Sequence, residues 1–126
     1  MQKSNEEKVV VLVLGDNEGE RELYIRALRH AEVIAVATVP EALKKYEEYG
    51  DRIKIIFVDS DLKGGGYSED FVVSICERFK GLLVAASYHE ESNLALMMYG
   101  CTAKAPKKWK DAPRIFDQCL LSHVLV

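Results

Sequence analysis

The chain has 126 residues, of which 48% are hydrophobic, so it is long enough to bury the core of a single domain. A net charge of −3 and an isoelectric point near 5.6 argue against a nucleic-acid binder, which needs a basic surface. We expect no signal peptide, and no apolar run reaches the roughly 18 residues that a membrane span needs. The three cysteines have no metal-ligand spacing, so we expect reduced thiols in a cytoplasmic protein.

The first part of the chain alternates short apolar strands with amphipathic helices. Residues 9–14 form the first predicted strand, and Asn17 followed by Glu20 is typical of a capping box at a helix start. A second strand is predicted at 32–37, and Thr38 is the expected cap of the helix that follows. This alternation predicts strand–helix–strand units.

The alternation continues through the rest of the chain. An apolar run at 53–58 predicts a third strand, which leads through a glycine-rich loop into the next helix. The remaining predicted elements are a helix at 68–79, a strand at 82–86, a helix at 90–99, a weak strand at 101–105 and a helix capped by Asp111. The pattern predicts one α/β domain over residues 1–126, with its core at about 8–121 and a parallel sheet covered by helices on both faces.

Acidic residues follow two of the predicted strands. Asp16 comes after the first strand, and Asp59 ends the third. Open α/β sheets bind ligands at the carboxyl ends of their strands, so we expect both carboxylates to meet in one pocket. The structural alternative is that each Asp only caps the turn or helix that follows it.

This order of elements resembles a response-regulator receiver domain, a doubly wound, flavodoxin-like fold whose five-stranded sheet has the order 2-1-3-4-5. The resemblance implies that Asp59 is the phosphoacceptor and that Asp16, Asp59 and the backbone carbonyl of Asp61 hold Mg²⁺. It also implies that Lys107 contacts the phosphoryl group. Lys104 is a rival for that role, because the register of the fifth strand is open.

Three positions depart from the family pattern. Gly15 stands where receivers have the first of two acids, and its effect would be weaker magnesium binding. Ala85 stands, counting back from Gly100, at the hydroxyl residue that contacts the phosphoryl group, and Lys104 stands at the aromatic switch position. We therefore expect a receiver in which coupling between site and surface is impaired.

The resemblance implies two signalling hypotheses. In one, the domain accepts a phosphoryl group from a sensor histidine kinase or phosphotransfer protein and contacts a downstream protein through its fourth helix, fifth strand and last helix. In the other, it is a pseudo-receiver, a phosphorylation-independent interaction module. Neither hypothesis involves nucleic acid or a membrane.

The third hypothesis is an enzyme. Asp59-Ser60-Asp61 resembles the Asp-x-Asp nucleophile motif of haloacid-dehalogenase phosphatases. That family carries the motif on its first strand and needs a downstream acidic pair, whereas here the motif lies on the third strand. We therefore expect no enzymatic activity.

Overall fold

The computed structural model describes residues 8–125, in which five strands alternate with five α-helices. Two short 3₁₀ helices, Gly50–Arg52 and Lys108–Lys110, precede β3 and α5. The elements are β1 (Val10–Leu14), α1 (Glu18–Ala27), β2 (Glu32–Val36), α2 (Val39–Tyr49), β3 (Ile53–Val58), α3 (Ser68–Ile75), β4 (Leu82–Ala85), α4 (Glu90–Tyr99), β5 (Ala103–Lys104) and α5 (Ala112–Leu125).

The strands form one parallel sheet in the order β2-β1-β3-β4-β5, which confirms the predicted fold class and strand order. Leu14 pairs with Val58, and Val58 pairs with Ala85. The residues that follow β1, β3 and β4 therefore emerge together at the carboxyl edge of the sheet.

Buried side chains pack against both faces of the sheet, as expected for strands that are apolar along their whole length. Ile56 and Val58 belong to one core cluster, and Ile55 and Phe57 belong to the other, because successive strand residues point to opposite faces. Within residues 8–125, no helix is both long and apolar enough to cross a membrane.

Two helix starts follow from their capping residues. Thr38 and Glu41 form the predicted reciprocal capping box at the start of α2. At α1, Asn17 accepts the Glu20 N–H at 2.9 Å, but the Glu20 carboxylate does not return the bond. That carboxylate turns instead toward the edge of the sheet, so the capping-box prediction is half correct there.

Two elements are shorter than predicted. Helix α3 ends at Ile75, because the chain tightens into a turn in which Arg78 N–H donates to the Ile75 carbonyl at 3.0 Å. Strand β5 has only two residues, since Cys101 N–H still bonds to the Leu96 carbonyl at the end of α4.

Candidate functional site

An open cleft of about 230 Å³ lies at the carboxyl edge of the sheet. The loops after β1, β3 and β4 and the segment before α5 form it. Both predicted acidic residues, Asp16 and Asp59, line this cleft. Other residues in its lining are Glu20, Asp61, Ser87, Tyr88 and Lys108.

Asp59 is held in the cleft by contacts to its backbone and side chain. Its N–H donates to the Leu14 carbonyl at 2.9 Å, and its carbonyl accepts from the Ser68 hydroxyl. Its Oδ1 accepts the Asp61 N–H at 3.3 Å, and its Oδ2 accepts Lys108 Nζ at 2.8 Å. The carboxylate is therefore oriented, with a cation on one oxygen.

The lysine at Asp59 is Lys108 rather than the predicted Lys107 or its rival Lys104. Lys108 is buried, with 8% relative exposure, and has a left-handed φ of 52°. Lys107 is exposed, and its N–H donates to Asp111 Oδ2 at 2.8 Å. A pattern of two adjacent lysines after a short strand does not reveal which side chain the turn directs inward.

Glu20 and Tyr88 complete the surroundings of Lys108, and neither was a predicted site residue. Lys108 Nζ lies 2.9 Å from Glu20 Oε1, and the Tyr88 hydroxyl donates to Glu20 Oε2 at 3.1 Å. The ammonium also lies 4.4 Å from the centre of the Tyr88 ring, within cation–π range. The only sequence signal for Glu20 was its place in the first turn of α1.

Charge stabilisation keeps Lys108 protonated in this buried position. Burial alone lowers the pKa of Lys108, but the hydrogen bonds that its ammonium donates to Asp59 and Glu20 outweigh burial and raise the pKa. Burial, followed by the hydrogen bond to Glu20, raises the pKa of Tyr88. The lysine is therefore a cation and Tyr88 a neutral donor at neutral pH.

Gly15 has room for a side chain beside Asp59. Its φ lies outside the left-handed region that favours glycine. A Cβ at this position would lie 3.8 Å from Asp59 Cβ and 3.9 Å from Asp59 Oδ2, which are ordinary contact distances. Backbone conformation therefore does not account for glycine here.

The donors in the cleft suit a hard cation, but their side chains alone are too few. Carboxylate and carbonyl oxygens are the ligands that Mg²⁺ prefers. In the described part of the chain, no three His, Cys, Asp or Glu side chains are grouped closely enough to hold a metal ion. Asp16 and Asp59 therefore fit magnesium only if backbone oxygen, such as the carbonyl of Asp61, and water complete the shell.

Ser60 and Ser87 bring hydroxyl groups to the cleft, whereas the predicted switch position, Ala85, does not line it. Ala85 is fully buried in the core cluster that contains Val58. Ser87 Oγ lies 3.2 Å from Ser60 Oγ and accepts the His89 N–H at 3.1 Å. The pairing of Val58 with Ala85 places Ala85 level with the residue before Asp59.

The other predicted switch residue, Lys104, lies outside the cleft. It is exposed on β5, and its Nζ lies 3.6 Å from Glu90 Oε2 at the start of α4. The predicted aromatic switch position thus holds half of a surface ion pair.

No family model matches the sequence, and no curated protein matches it either. Solved structures do match the fold. NtrX from Brucella abortus superposes with a TM-score of 0.76 at 18% identity, over 92% of this chain and 27% of NtrX. The chemotaxis protein CheY4 of Vibrio cholerae also gives 0.76 at 18% identity, over 89% of this chain and 98% of CheY4. A response regulator receiver domain protein from Clostridium thermocellum gives a TM-score of 0.72 at 14% identity, over 93% of this chain and 98% of that protein.

The chain has the fold of response-regulator receiver domains. This confirms the resemblance predicted from the order of its elements. At 14–18% identity the likeness establishes the fold alone, so the role of the receiver-fold cleft depends on its own chemistry.

Proposed function

We propose that this domain is a signal receiver that accepts a phosphoryl group on Asp59. The observation that carries the proposal is the Asp59 carboxylate at the end of a central strand, with Lys108 Nζ 2.8 Å away in an open cleft. A carboxylate oxygen attacks the phosphorus of a phospho-donor, the bond from phosphorus to the donor breaks, and an acyl phosphate forms. The donor class is a sensor histidine kinase or a phosphotransfer protein.

Magnesium binding is part of the proposal. Asp16, Asp59 and the backbone carbonyl of Asp61 are the residues that would hold the ion, with water completing its shell. The ion supplies positive charge that offsets the negative charge of the incoming phosphoryl group. Gly15 leaves one carboxylate fewer than receivers normally have, so we expect weak binding.

Lys108 takes the role that the sequence suggested for Lys107. Its ammonium is a compact charge on a flexible stem, which suits contact with a phosphoryl oxygen. Its short distance to Asp59 and its burial support this assignment.

Switching is proposed to be impaired but not absent. Ala85 has no hydroxyl group to contact a phosphoryl group, but Ser87 supplies one in the cleft. The aromatic element that normally responds is still missing, because Lys104 is charged and paired at the surface. The proposed contact face for a downstream protein remains α4, β5 and α5.

A pseudo-receiver is the second candidate, and the ion pairs of Lys108 favour it. Two carboxylates already neutralise this lysine, at 2.8 Å and 2.9 Å. A domain that works without phosphate can keep such a network purely for stability.

Acetyl phosphate labelling separates these candidates. With millimolar Mg²⁺, the wild type should gain the mass of one phosphoryl group, and Asp59→Asn should gain none. Lys108→Met should label poorly, whereas the matched Lys107→Met should label normally. An unlabelled wild type, or equal labelling of Asp59→Asn, would favour the pseudo-receiver.

A further inference from the structure

Glu20 is placed to control Lys108. Its side chain is 22% exposed and that of Lys108 is 10% exposed, so the ion pair between them is largely shielded from water. Shielding strengthens the attraction between opposite charges, because the effective dielectric falls. Glu20 also leaves the capping-box geometry that its position in α1 offers.

Tyr88 joins this ion pair from the β4–α4 loop. Its hydroxyl donates to the second Glu20 oxygen, and its ring lies beside the Lys108 ammonium. The residue is nevertheless 55% exposed, so little packing holds the ring apart from these polar contacts. The position of Tyr88 thus depends on where Glu20 and Lys108 are.

We propose that Glu20 is a positioning residue that holds Lys108 in the resting protein, and that a phosphoryl group on Asp59 displaces Glu20 and releases Tyr88. This inference rests on the proposed role of Asp59 as phosphoacceptor. We call the contacts among Glu20, Lys108 and Tyr88 the lysine latch.

Electrostatics gives the direction of the change. A phosphoryl group carries a charge of about −1.5 to −2 at neutral pH, which exceeds the charge of the carboxylate that it modifies. The added charge attracts Lys108 and repels Glu20. Both effects weaken the ion pair in which Lys108 Nζ lies 2.9 Å from Glu20 Oε1. Tyr88 then loses its acceptor and its cation together.

The resting latch is tested first, without ligand. In protein labelled with 3-fluorotyrosine, the Tyr88 signal is assigned by its loss in Tyr88→Phe. Glu20→Gln should move that signal, whereas Glu22→Gln, which changes an exposed carboxylate of the same helix, should not. An unmoved Tyr88 signal in Glu20→Gln would overturn the latch.

The proposed displacement of Glu20 from Lys108 is tested with beryllofluoride and Mg²⁺. In the wild type, the Tyr88 signal should move toward its position in ligand-free Glu20→Gln. Glu20→Gln should bind beryllofluoride about fivefold more tightly, because a nearby negative charge and a competitor for Lys108 are removed. A merely structural role for Glu20 predicts unchanged or weaker binding, and that result would overturn the proposal.

Amide signals distinguish the two proposals when one of them fails. If the Asp59 amide signal shifts with beryllofluoride while the Tyr88 signal does not move, the proposed displacement of Glu20 is wrong and the phosphoacceptor proposal stands. If the Asp59 amide signal does not respond at all, the phosphoacceptor proposal fails, and so does the proposed displacement of Glu20, which rests on it. The ligand-free measurement still decides whether Glu20 holds Lys108.

Discussion

Lys108 sits in its buried position because two carboxylates neutralise it. Removing the lysine leaves Asp59 and Glu20, whose side chains are 13% and 22% exposed, without their counter-ion. Breaking a buried ion pair by deleting one partner costs more than the pair contributes, because an uncompensated charge remains in a region of low dielectric.

Lys108→Met should therefore lower the free energy of unfolding by about 3 kcal/mol. Lys107→Met should change it by less than about 0.5 kcal/mol, since that side chain is exposed. Urea denaturation measures both. Equal effects of the two substitutions would contradict the assignment of Lys108 as the site lysine.

Gly15→Asp should tighten magnesium binding, because it adds a carboxylate on a Cβ that fits beside Asp59 at ordinary contact distance. The same charge should lower stability in the absence of metal through repulsion. Calorimetric titration gives the affinity, and Gly15→Asn is the neutral control. A well-folded Gly15→Asp protein with unchanged affinity would rule out the missing-ligand explanation.

At the residue scale, the sequence identifies groups that directly follow strands and misses groups that depend on loop geometry. Asp16 and Asp59 could be found because strand ends meet at one edge of a parallel sheet. Lys108 could not, because a left-handed turn decides which of two neighbouring lysines points inward. Glu20 was hidden by the capping role that its position suggested.

Among the elements, α4 is tied to the cleft by one buried amide. Asn93 is 1% exposed, and its Oδ1 accepts the Ser87 N–H at 2.9 Å. Its Nδ2 donates to the Ser87 carbonyl, also at 2.9 Å. The loop that carries Ser87 and Tyr88 is thereby joined to the helix on the proposed contact face.

Asn93→Ala should lower the free energy of unfolding by about 2–4 kcal/mol, since it leaves two buried backbone groups of Ser87 without partners. Asn93→Asp keeps the acceptor and loses the donor, so its effect tests the second bond. Chemical denaturation gives the energies, and hydrogen exchange at Ser87 gives the local effect. An unchanged hydrogen-exchange rate at Ser87 in Asn93→Ala would contradict the role of Asn93 in joining this loop to α4.

Element types were predictable because their local signals agreed with one another. The capping box at Thr38 and the glycine at position 100 mark real helix ends. Boundaries were less predictable where tertiary contacts decide them. The short β5 depends on backbone bonds such as that from Thr102 N–H to the Leu83 carbonyl, which no local pattern indicates.

For the whole molecule, stability should fall in alkaline solution. Burial, followed by the charges of Asp59 and Glu20, raises the pKa of Tyr24, and burial raises the pKa of Cys101 to about 12. A group whose pKa is raised in the folded state contributes its full stability below its unfolded pKa. That contribution is lost as the pH rises, because the unfolded chain releases the proton first.

Tyr24→Phe should remove part of this dependence. The ordinary pKa of tyrosine is about 10. Above that pH, each tyrosine that folding keeps protonated makes the free energy of unfolding fall by about 1.4 kcal/mol more per pH unit. The variant should therefore lose stability less steeply than the wild type between pH 10 and 11. Urea denaturation at several pH values measures the slopes, and parallel slopes would show that Tyr24 titrates normally in the folded protein.

The brevity of β5 has a consequence for how copies of this molecule behave beside one another. A strand at the margin of a sheet exposes unpaired backbone groups, onto which a strand of another chain can add. Here that margin is two residues long, carries the charge of Lys104 and is followed by Pro106 two residues later. Short length, lysine and proline are the features by which proteins discourage such growth into aggregates. The charge of Lys104 is thus well placed to discourage strand addition between neighbouring copies of the protein.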